Sequence, residues 1–392
     1  MNPEEFNKRI FPLPGISFYF VKSDRLIKPD IPMIKPLLFS CMAIFLVSTA
    51  FTQEKTFSIQ GRVTDSKSGN PLAGASVFCQ NTTTGTISNN DGNFSLRMAN
   101  GGYDLVISYT GYETQVLRVS NTNKEKDSLN VLLKEEDKSM TEVVVTGGGA
   151  LRDGWARYGD FFLENFIGTS SHAAQCTIMN KDALLFYYYK KSNRLKVKAK
   201  EQLLIVNEAL GYKIHYQLDS FVNHYDTHIS SYTGYPLFEE LTGTTDQQEI
   251  WKKNRYLAYI GSRLHFMRSW YDSTLKDEGF EIETLDSANP EKGTELENPY
   301  DSGFYSLDSA TVDIGLKGRI RIKYKNRVPD KDYLIKNKFP LSARIQISAL
   351  DIPEGFSIEE NGYFYEQSEV TNMGYWAWKK LAELVPYDYN PE

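Results

Sequence analysis

The sequence predicts a mainly β protein: a small N-terminal β-sandwich, then an α+β domain with a mostly antiparallel sheet and one long central helix. Three observations carry this. Between residues 57 and 134 side chains alternate apolar and polar in short runs separated by turn residues. From 247 to 277 apolar residues recur instead at three- and four-residue steps. The chain also holds 25 Tyr and 22 Phe, residues that favour pleated, half-buried surfaces. Its 392 residues leave room for two or three domains.

Composition narrows the function classes. Charged residues at 24% and hydrophobic residues at 41% are ordinary for a globular chain. The net charge of −6 argues against a nucleic-acid partner, which needs a concentrated positive field. Three cysteines are too few for a disulfide framework or a Cys-rich zinc site. Cys41 falls in an export signal; Cys79 and Cys176 fall in different predicted domains, and sequence does not say whether they pair.

Residues 1–32 read as an upstream extension ahead of a true start at Met33, with a long cytoplasmic leader as the alternative. Residues 33–52 then form a signal peptide. Lys35 is its positive end, residues 37–47 its apolar run, and Ser48, Thr49 and Ala50 its small-residue cleavage motif. The run is too short to span a membrane. "LFSC" at 38–41 resembles a lipoprotein box but sits too early in the run, so Cys41 reads as an ordinary apolar-run residue. The mature protein is expected to be exported.

Residues 55–135 carry the sandwich. Phe57, Ile59, Gly61 and Val63 share one strand face. Further strands are expected at 76–80, 93–98, 103–109, 112–119 and 128–133. Asn90, Asp91 and Gly92 supply a turn before the strand at 93. The stretch "GRVTDSKSGNPLAGASVFCQNTTTGTISNNDGNFSL" resembles the carboxypeptidase-regulatory-like domain, a transthyretin-like or Ig-like β-sandwich. Gly61, Val63, Asp65, Pro71, Leu72, Gly74, Ala75, Val77, Thr86, Asp91, Gly92 and Phe94 carry the likeness, and "SYTGYETQ" extends it. The resemblance implies a fold and no protease. No His-Glu-x-x-His spacing occurs in the chain.

Residues 136–154 read as a linker. Within it "TEVVVTGGG", 141–149, resembles the segment that precedes the plugged barrel of TonB-dependent outer-membrane receptors. A receptor barrel of about 22 strands at roughly 10 residues each would use nearly all the sequence behind it, and a long helix interrupts that sequence. The segment therefore reads as a β-prone connector with a glycine joint at 147–149. Partner docking through it, in the manner of a TonB box, stays open.

Residues 155–392 read as the α+β domain, of unknown function. A short helix is expected over 158–166, then strands over 173–179, 184–189, 194–199, 203–207 and 212–218. A helix over 247–277 shows two adjacent stripes. One is Ile250, Leu257, Ile260, Leu264, Met267 and Tyr271; the other is Trp251, Tyr259, Ser262, Phe266 and Trp270. Arg255 and His265 border the second stripe and would need partners if buried. Strands follow over 279–284, 304–308, 319–325 and 343–349, with a polar loop over 290–303 and a last helix over 372–384. "FIGTSSHAAQCTIMN", "LIVNEALGYKIHYQL", "RYLAYIGSRLHFMRSW" and "GYWAWKKLAELVPYDYNP" resemble the region that follows the sandwich in exported Gram-negative proteins named only for their regulatory-like domain. That resemblance implies no catalytic residue.

Two constellations could carry chemistry. His224, Asp226 and His228 alternate, so an extended strand would put two imidazoles and a carboxylate on one face, a divalent-metal set; the plainer reading is a solvated polar face. Arg194, Lys196 and Lys198 alternate in one strand, and Arg319, Arg321, Lys323 and Lys325 in another. In a shared sheet they would make a patch for an anionic glycan, lipid head groups or an acidic protein; otherwise they guard sheet surfaces and edges. No nucleophile elbow, phosphate loop or dinucleotide fingerprint occurs, and no cofactor is implied. The sequence thus points to a non-enzymatic exported envelope protein that binds or scaffolds at the periplasm or outer membrane. The alternatives are a glycan- or peptide-capture accessory of an outer-membrane transporter, and a hydrolase whose site sequence does not display.

Overall fold

The computed structural model describes residues 55–391 apart from 123–127, 137–148, 287–288, 290–291 and 309. The expected upstream extension, signal peptide and 141–146 connector lie outside the described residues. All described residues fall in one compact unit.

Seven strands form the N-terminal sandwich: β1 (Thr56–Asp65), β2 (Ser76–Cys79), β3 (Gly85–Ile87), β4 (Asn93–Ala99), β5 (Gly102–Ser108), β6 (Gln115–Ser120) and β7 (Ser128–Leu133). One sheet has the order β4-β1-β7, with β1 antiparallel to β4 and parallel to β7. The other has the order β3-β2-β5-β6. The alternation read from the sequence sends Ile59, Val63, Leu96, Leu105 and Val131 into the layer between the sheets. This is the sandwich expected.

The rest of the chain is mainly antiparallel β with helices laid against it, as expected, but it has two large cores. Helix α1 (Gly154–Phe166) packs on a six-stranded sheet of β8 (Cys176–Ile178), β9 (Leu184–Tyr189), β10 (Arg194–Ala199), β11 (Leu203–Asn207), β12 (Tyr212–His224) and β13 (Ile229–Glu240). The order is β8-β11-β12-β10-β9, with β13 on β12. Phe162 and Phe166 of α1 stack at 4.9 Å and meet Phe186, Phe221 and Tyr216 edge-on, a favoured aromatic geometry.

The second core gathers β14 (Phe280–Leu285), β15 (Gly293–Glu295), β16 (Tyr305–Asp308), β17 (Thr311–Ile314), β18 (Gly318–Tyr324), β19 (Gln346–Ile352), β20 (Phe356–Glu359) and β21 (Thr371–Gly374). They form sheets of order β15-β14-β18-β19-β21 and β16-β17-β20.

The long helical period is real, but the helix breaks. It resolves into α2 (Thr245–Tyr259) and α3 (Arg263–Tyr271). Ile260 leaves the helix with ψ 129, Gly261 takes φ +72, and Ser262 caps α3 by accepting from the His265 amide. A Cβ on Gly261 would lie 2.5 Å from the Tyr324 ring, so the backbone can turn there only as glycine. The break lets α2 face the first core while Phe266 and Trp270 of α3 fill the second. Ile250, assigned to an apolar stripe, is exposed.

The helix expected over 372–384 is also corrected. Residues 371–374 extend as β21 against β19, Gly374 turns at φ +68, and a single helical turn, α5 (Tyr375–Trp378), follows. Tyr375 and Trp376 are buried by tertiary packing and not along a helical stripe. A further short helix, α4 (Lys331–Lys336), precedes β19.

The sandwich is docked on the rest through backbone pairing. Thr82 bridges Leu237 of β13 in parallel, and the Phe238 amide donates to the Thr82 carbonyl at 2.8 Å. The Asn81 amide donates to Pro236 O and its carbonyl accepts from the Tyr387 amide, each at 2.7 Å. A second contact joins Asn361 Nδ2 to Gly102 O and the Tyr363 hydroxyl to Asp104.

Candidate functional site

The tip of the β2–β3 hairpin, the ends of β12 and β13, helix α2 and the C-terminal tail enclose a cleft of about 260 Å³. Its wall is set by how α2 is fastened. Trp251 Nε1, Asn254 Nδ2 and Arg255 Nε donate to the carbonyls of Glu208, Ala209 and Leu210, satisfying a turn that would otherwise expose its backbone. Arg255 also donates to Gly211 O at 3.0 Å, pairs with Glu240 at 3.1 Å and lies 3.9 Å over the Tyr212 ring. These are the partners that its place on the apolar stripe demanded.

Across the cleft Asp388 accepts from the Thr83 amide at 2.8 Å and from the Thr83 hydroxyl. Burial raises the phenol pKa of Tyr212 and Tyr389, so both stay protonated even into alkaline solution. With Lys252 and Arg255 opposite Glu240 and Asp388, the lining is polar, aromatic and charge-balanced. Such a lining suits holding a small polar group.

A second, half-buried cluster centres on the buried Glu383, just after α5. Lys379 Nζ donates to Asp330 Oδ2 and Glu383 Oε2, each at 2.9 Å. His172 Nδ1 lies 3.2 Å from Glu383 Oε1, within pairing distance but not aligned as a hydrogen bond. Cys176 sits beside them, its thiol donating to His172 O at 3.5 Å. Burial, and then the charge of Glu383, push that thiol up to about 12, so it is not a thiolate nucleophile at neutral pH. Sequence reading passed over this group, although Lys379 and Glu383 stand four apart in "KKLAE", a pairing distance on a helical turn.

His265, which borders the second apolar stripe of the sequence, is buried. Its Nδ1 accepts from the Gly261 amide at 3.1 Å and its Nε2 lies 3.1 Å from Glu278. Burial depresses its pKa, against the pull of Glu278.

The candidate metal set does not assemble. His224 closes β12 opposite Ile229, while Asp226 and His228 lie in the hairpin turn, His228 at φ +55. Strand alternation does not apply across a turn, so the three are not placed on one strand face. Asp226 instead accepts from Asn193 Nδ2 at 2.6 Å. Among the described residues no group of three or more His, Cys, Asp or Glu side chains is placed to hold a metal ion.

The cationic strands do not form a joint patch. Arg194, Lys196 and Lys198 lie on β10, whereas Arg319, Arg321 and Lys323 lie on β18 in a different sheet, with Lys325 just beyond. The register of β18 sets its cations against carboxylates. Arg319 pairs with Asp351 at 3.0 Å, Arg321 and Lys323 share Glu283, and Lys325 pairs with Glu281. That row is a cross-strand ion-pair ladder. Arg194 lies 4.7 Å over the Tyr189 ring. Cys79 and Cys176 are both free thiols, in separate cores.

Comparison with known proteins agrees with the sandwich. Residues 59–145 match the profile of the CarboxypepD_reg-like domain, and the seven strands above lie in or beside that span. Residues 59–145 are a CarboxypepD_reg-like domain. The chain also has a segment similar to TonB-dependent receptors. The chain is 40% identical over 120 residues to TonB-dependent receptor SusC of Bacteroides thetaiotaomicron, covering 31% of this chain and 11% of the receptor. It is 28% identical over 119 residues to TonB-dependent receptor P3 of Formosa agariphila, covering 30% and 11%. The matches thus span about a tenth of those receptors.

Two solved structures show weak likeness. A putative membrane-associated protein of unknown function from Bacteroides fragilis matches with TM-score 0.17 and 11% identity, over 82% of this chain and 95% of that one. The 3-chlorocatechol 1,2-dioxygenase of Rhodococcus opacus matches with TM-score 0.18 and 13% identity, over 21% and 60%.

Proposed function

We propose that the chain is a non-enzymatic protein of the bacterial cell envelope. In this reading the CarboxypepD_reg-like domain and the β-rich region act together as a binding or scaffolding body beside an outer-membrane transporter. The observation that carries the reading is the 40% identity of one segment to a TonB-dependent receptor, joined here to about 240 residues whose described strands form open sheets of three to six strands. Two further features support it. The sandwich is pinned to the remainder by backbone pairing, as suits one rigid docking body. The half-buried Cys176 beside His172 and Glu383 has its thiol held protonated. No helix among the described residues is long and apolar enough to cross a membrane.

The cleft at Tyr212 and Arg255 favours a second reading, capture of a small polar ligand for that transporter.

The test is crosslinking in the native host, followed by fractionation and purification of the tagged chain. The reading expects the chain in the envelope fraction with a stoichiometric outer-membrane transporter. Recovery in the cytosol, or from envelopes without such a partner, overturns it.

A further inference from the structure

Five large apolar side chains stand exposed within thirteen residues of one another. They are Ile335 (64%), Phe339 (49%), Leu341 (65%), Ile345 (38%) and Ile347 (47%). Residues 335–342 are exposed without exception. Soluble surfaces carry single exposed apolar residues routinely, but a contiguous run marks contact with something apolar.

The same run is cationic. Residues 331–347 hold Lys331, Lys336, Lys338 and Arg344 against one carboxylate, Asp332. Four positive charges less one negative leave +3, on a chain whose net charge is −6. Among the described residues Lys331, Lys338 and Arg344 have no carboxylate partner, and Lys336 pairs with the half-exposed Glu164 and also reaches the Thr169 hydroxyl.

The loop is also held in shape. Helix α4 ends with the Phe339 amide donating to Leu334 O at 2.8 Å and the Lys338 amide to Ile335 O at 3.1 Å. This Schellman pattern places Lys338 at φ +58, where glycine is favoured. The Phe339 ring packs 5.6 Å from Tyr333, so the turn projects cation and apolar side chains together.

We propose that the α4–β19 segment, residues 331–347, is a membrane-surface contact that seats Phe339 and Leu341 among acyl chains and Lys331, Lys338 and Arg344 on anionic phospholipid head groups. Apolar side chains interleaved with lysine and arginine fit that interface, because lipid offers both an apolar layer and a phosphate layer at adjacent depths. An acidic protein surface would match the cations but would leave five apolar side chains without a counterpart. The contact requires no transporter, so it stands or falls separately from the function proposed above.

Flotation of the purified chain with vesicles tests it. Vesicles of phosphatidylcholine containing about one third phosphatidylglycerol should carry the chain upward and pure phosphatidylcholine should not, with the difference shrinking at high salt. Lys338→Gly removes a cation while suiting the backbone. It should weaken binding about fivefold without lowering the melting temperature. Phe339→Ser with Leu341→Ser should weaken it at least tenfold. Lys190→Glu with Lys191→Glu, exposed elsewhere, should change it far less than Lys338→Glu with Arg344→Glu. Equal binding to both vesicles, no binding to either, or loop variants that bind like the parent would overturn the proposal. So would a loop that captures an acidic protein while ignoring vesicles.

Discussion

Thr83 and Asp388, separated by 305 residues, are joined by the Thr83 amide and hydroxyl both donating to one carboxylate. The pair clamps the sandwich hairpin tip to the C-terminal tail, beside the Thr82–Leu237 bridge. Asp388→Ala should cost about 1–2 kcal/mol, the range for a hydrogen bond to a charged group that is partly solvated. The local effect should exceed the global one: amide exchange at 81–83 and 236–238 should accelerate more than in the sandwich core. Unchanged exchange at those amides would mean that the backbone bridge alone holds the junction.

Gly261 is the hinge on which the helix turns from one core to the other. Gly261→Ala meets two costs, a left-handed backbone and a Cβ 2.5 Å from the Tyr324 ring. Together they should destabilise by about 2–4 kcal/mol. Gly111 makes the control: it has φ +86 but nothing within 4 Å of an added Cβ. Gly111→Ala should therefore cost only about 1 kcal/mol. Equal losses in urea melts would show that the Tyr324 contact relaxes without cost.

Facing the β18 cations, Glu283 of β14 fills the place that sequence reading assigned to an anionic partner. Burial raises its pKa but Lys323 and Arg321 together overcome this and hold it below the usual carboxylate range. Arg321→Glu would set two carboxylates facing each other at 22% and 15% side-chain exposure. A loss of about 2–4 kcal/mol is expected. Lys198→Glu, at the exposed position of β10, should stay within about 0.5 kcal/mol. Thermal melts of the two variants decide it. A stable Arg321→Glu chain would return these cations to the role of a binding surface.

How much of this was legible varies with the distance over which the chain had to be read. Strands 184–189, 194–199 and 203–207 were read to the residue, because alternation is local and one face of each was consistently apolar. The break at Gly261 was missed because a single glycine does not interrupt an apolar stripe. The signal was Gly261 followed by Ser262, a turn residue and then an N-cap residue. The β18 ladder also left a trace, since "FEIETL" alternates Glu281 and Glu283 as β18 alternates its cations. Which strand faces which is not in either motif, and that pairing decided whether the charges were exposed or spent. The cleft was beyond reach, because Thr83, Tyr212, Arg255 and Asp388 come from four separated segments.

Acid stability should report on the buried Glu383. Burial pushes its carboxyl up, but Lys379 and His172 outweigh that and hold it at about 2, against 4.5 for the free group. As pH falls the unfolded chain takes up this proton first. The contribution of Glu383 is therefore complete above about pH 4.5 and is lost between 4.5 and 2. The shift corresponds to roughly 3 kcal/mol. His265 acts in an earlier window with the same sign: burial holds it below 6.5, so the unfolded chain gains that proton first as pH drops through 6.5. Glu383→Gln should lose about 3 kcal/mol at neutral pH by leaving Lys379 half-partnered. It should keep the loss below 6.5 and flatten the stretch between 4.5 and 2 relative to the parent. Denaturant midpoints measured across both windows separate the two groups, and parallel curves for parent and variant below pH 4.5 would show that Glu383 does not hold its proton off in the folded state.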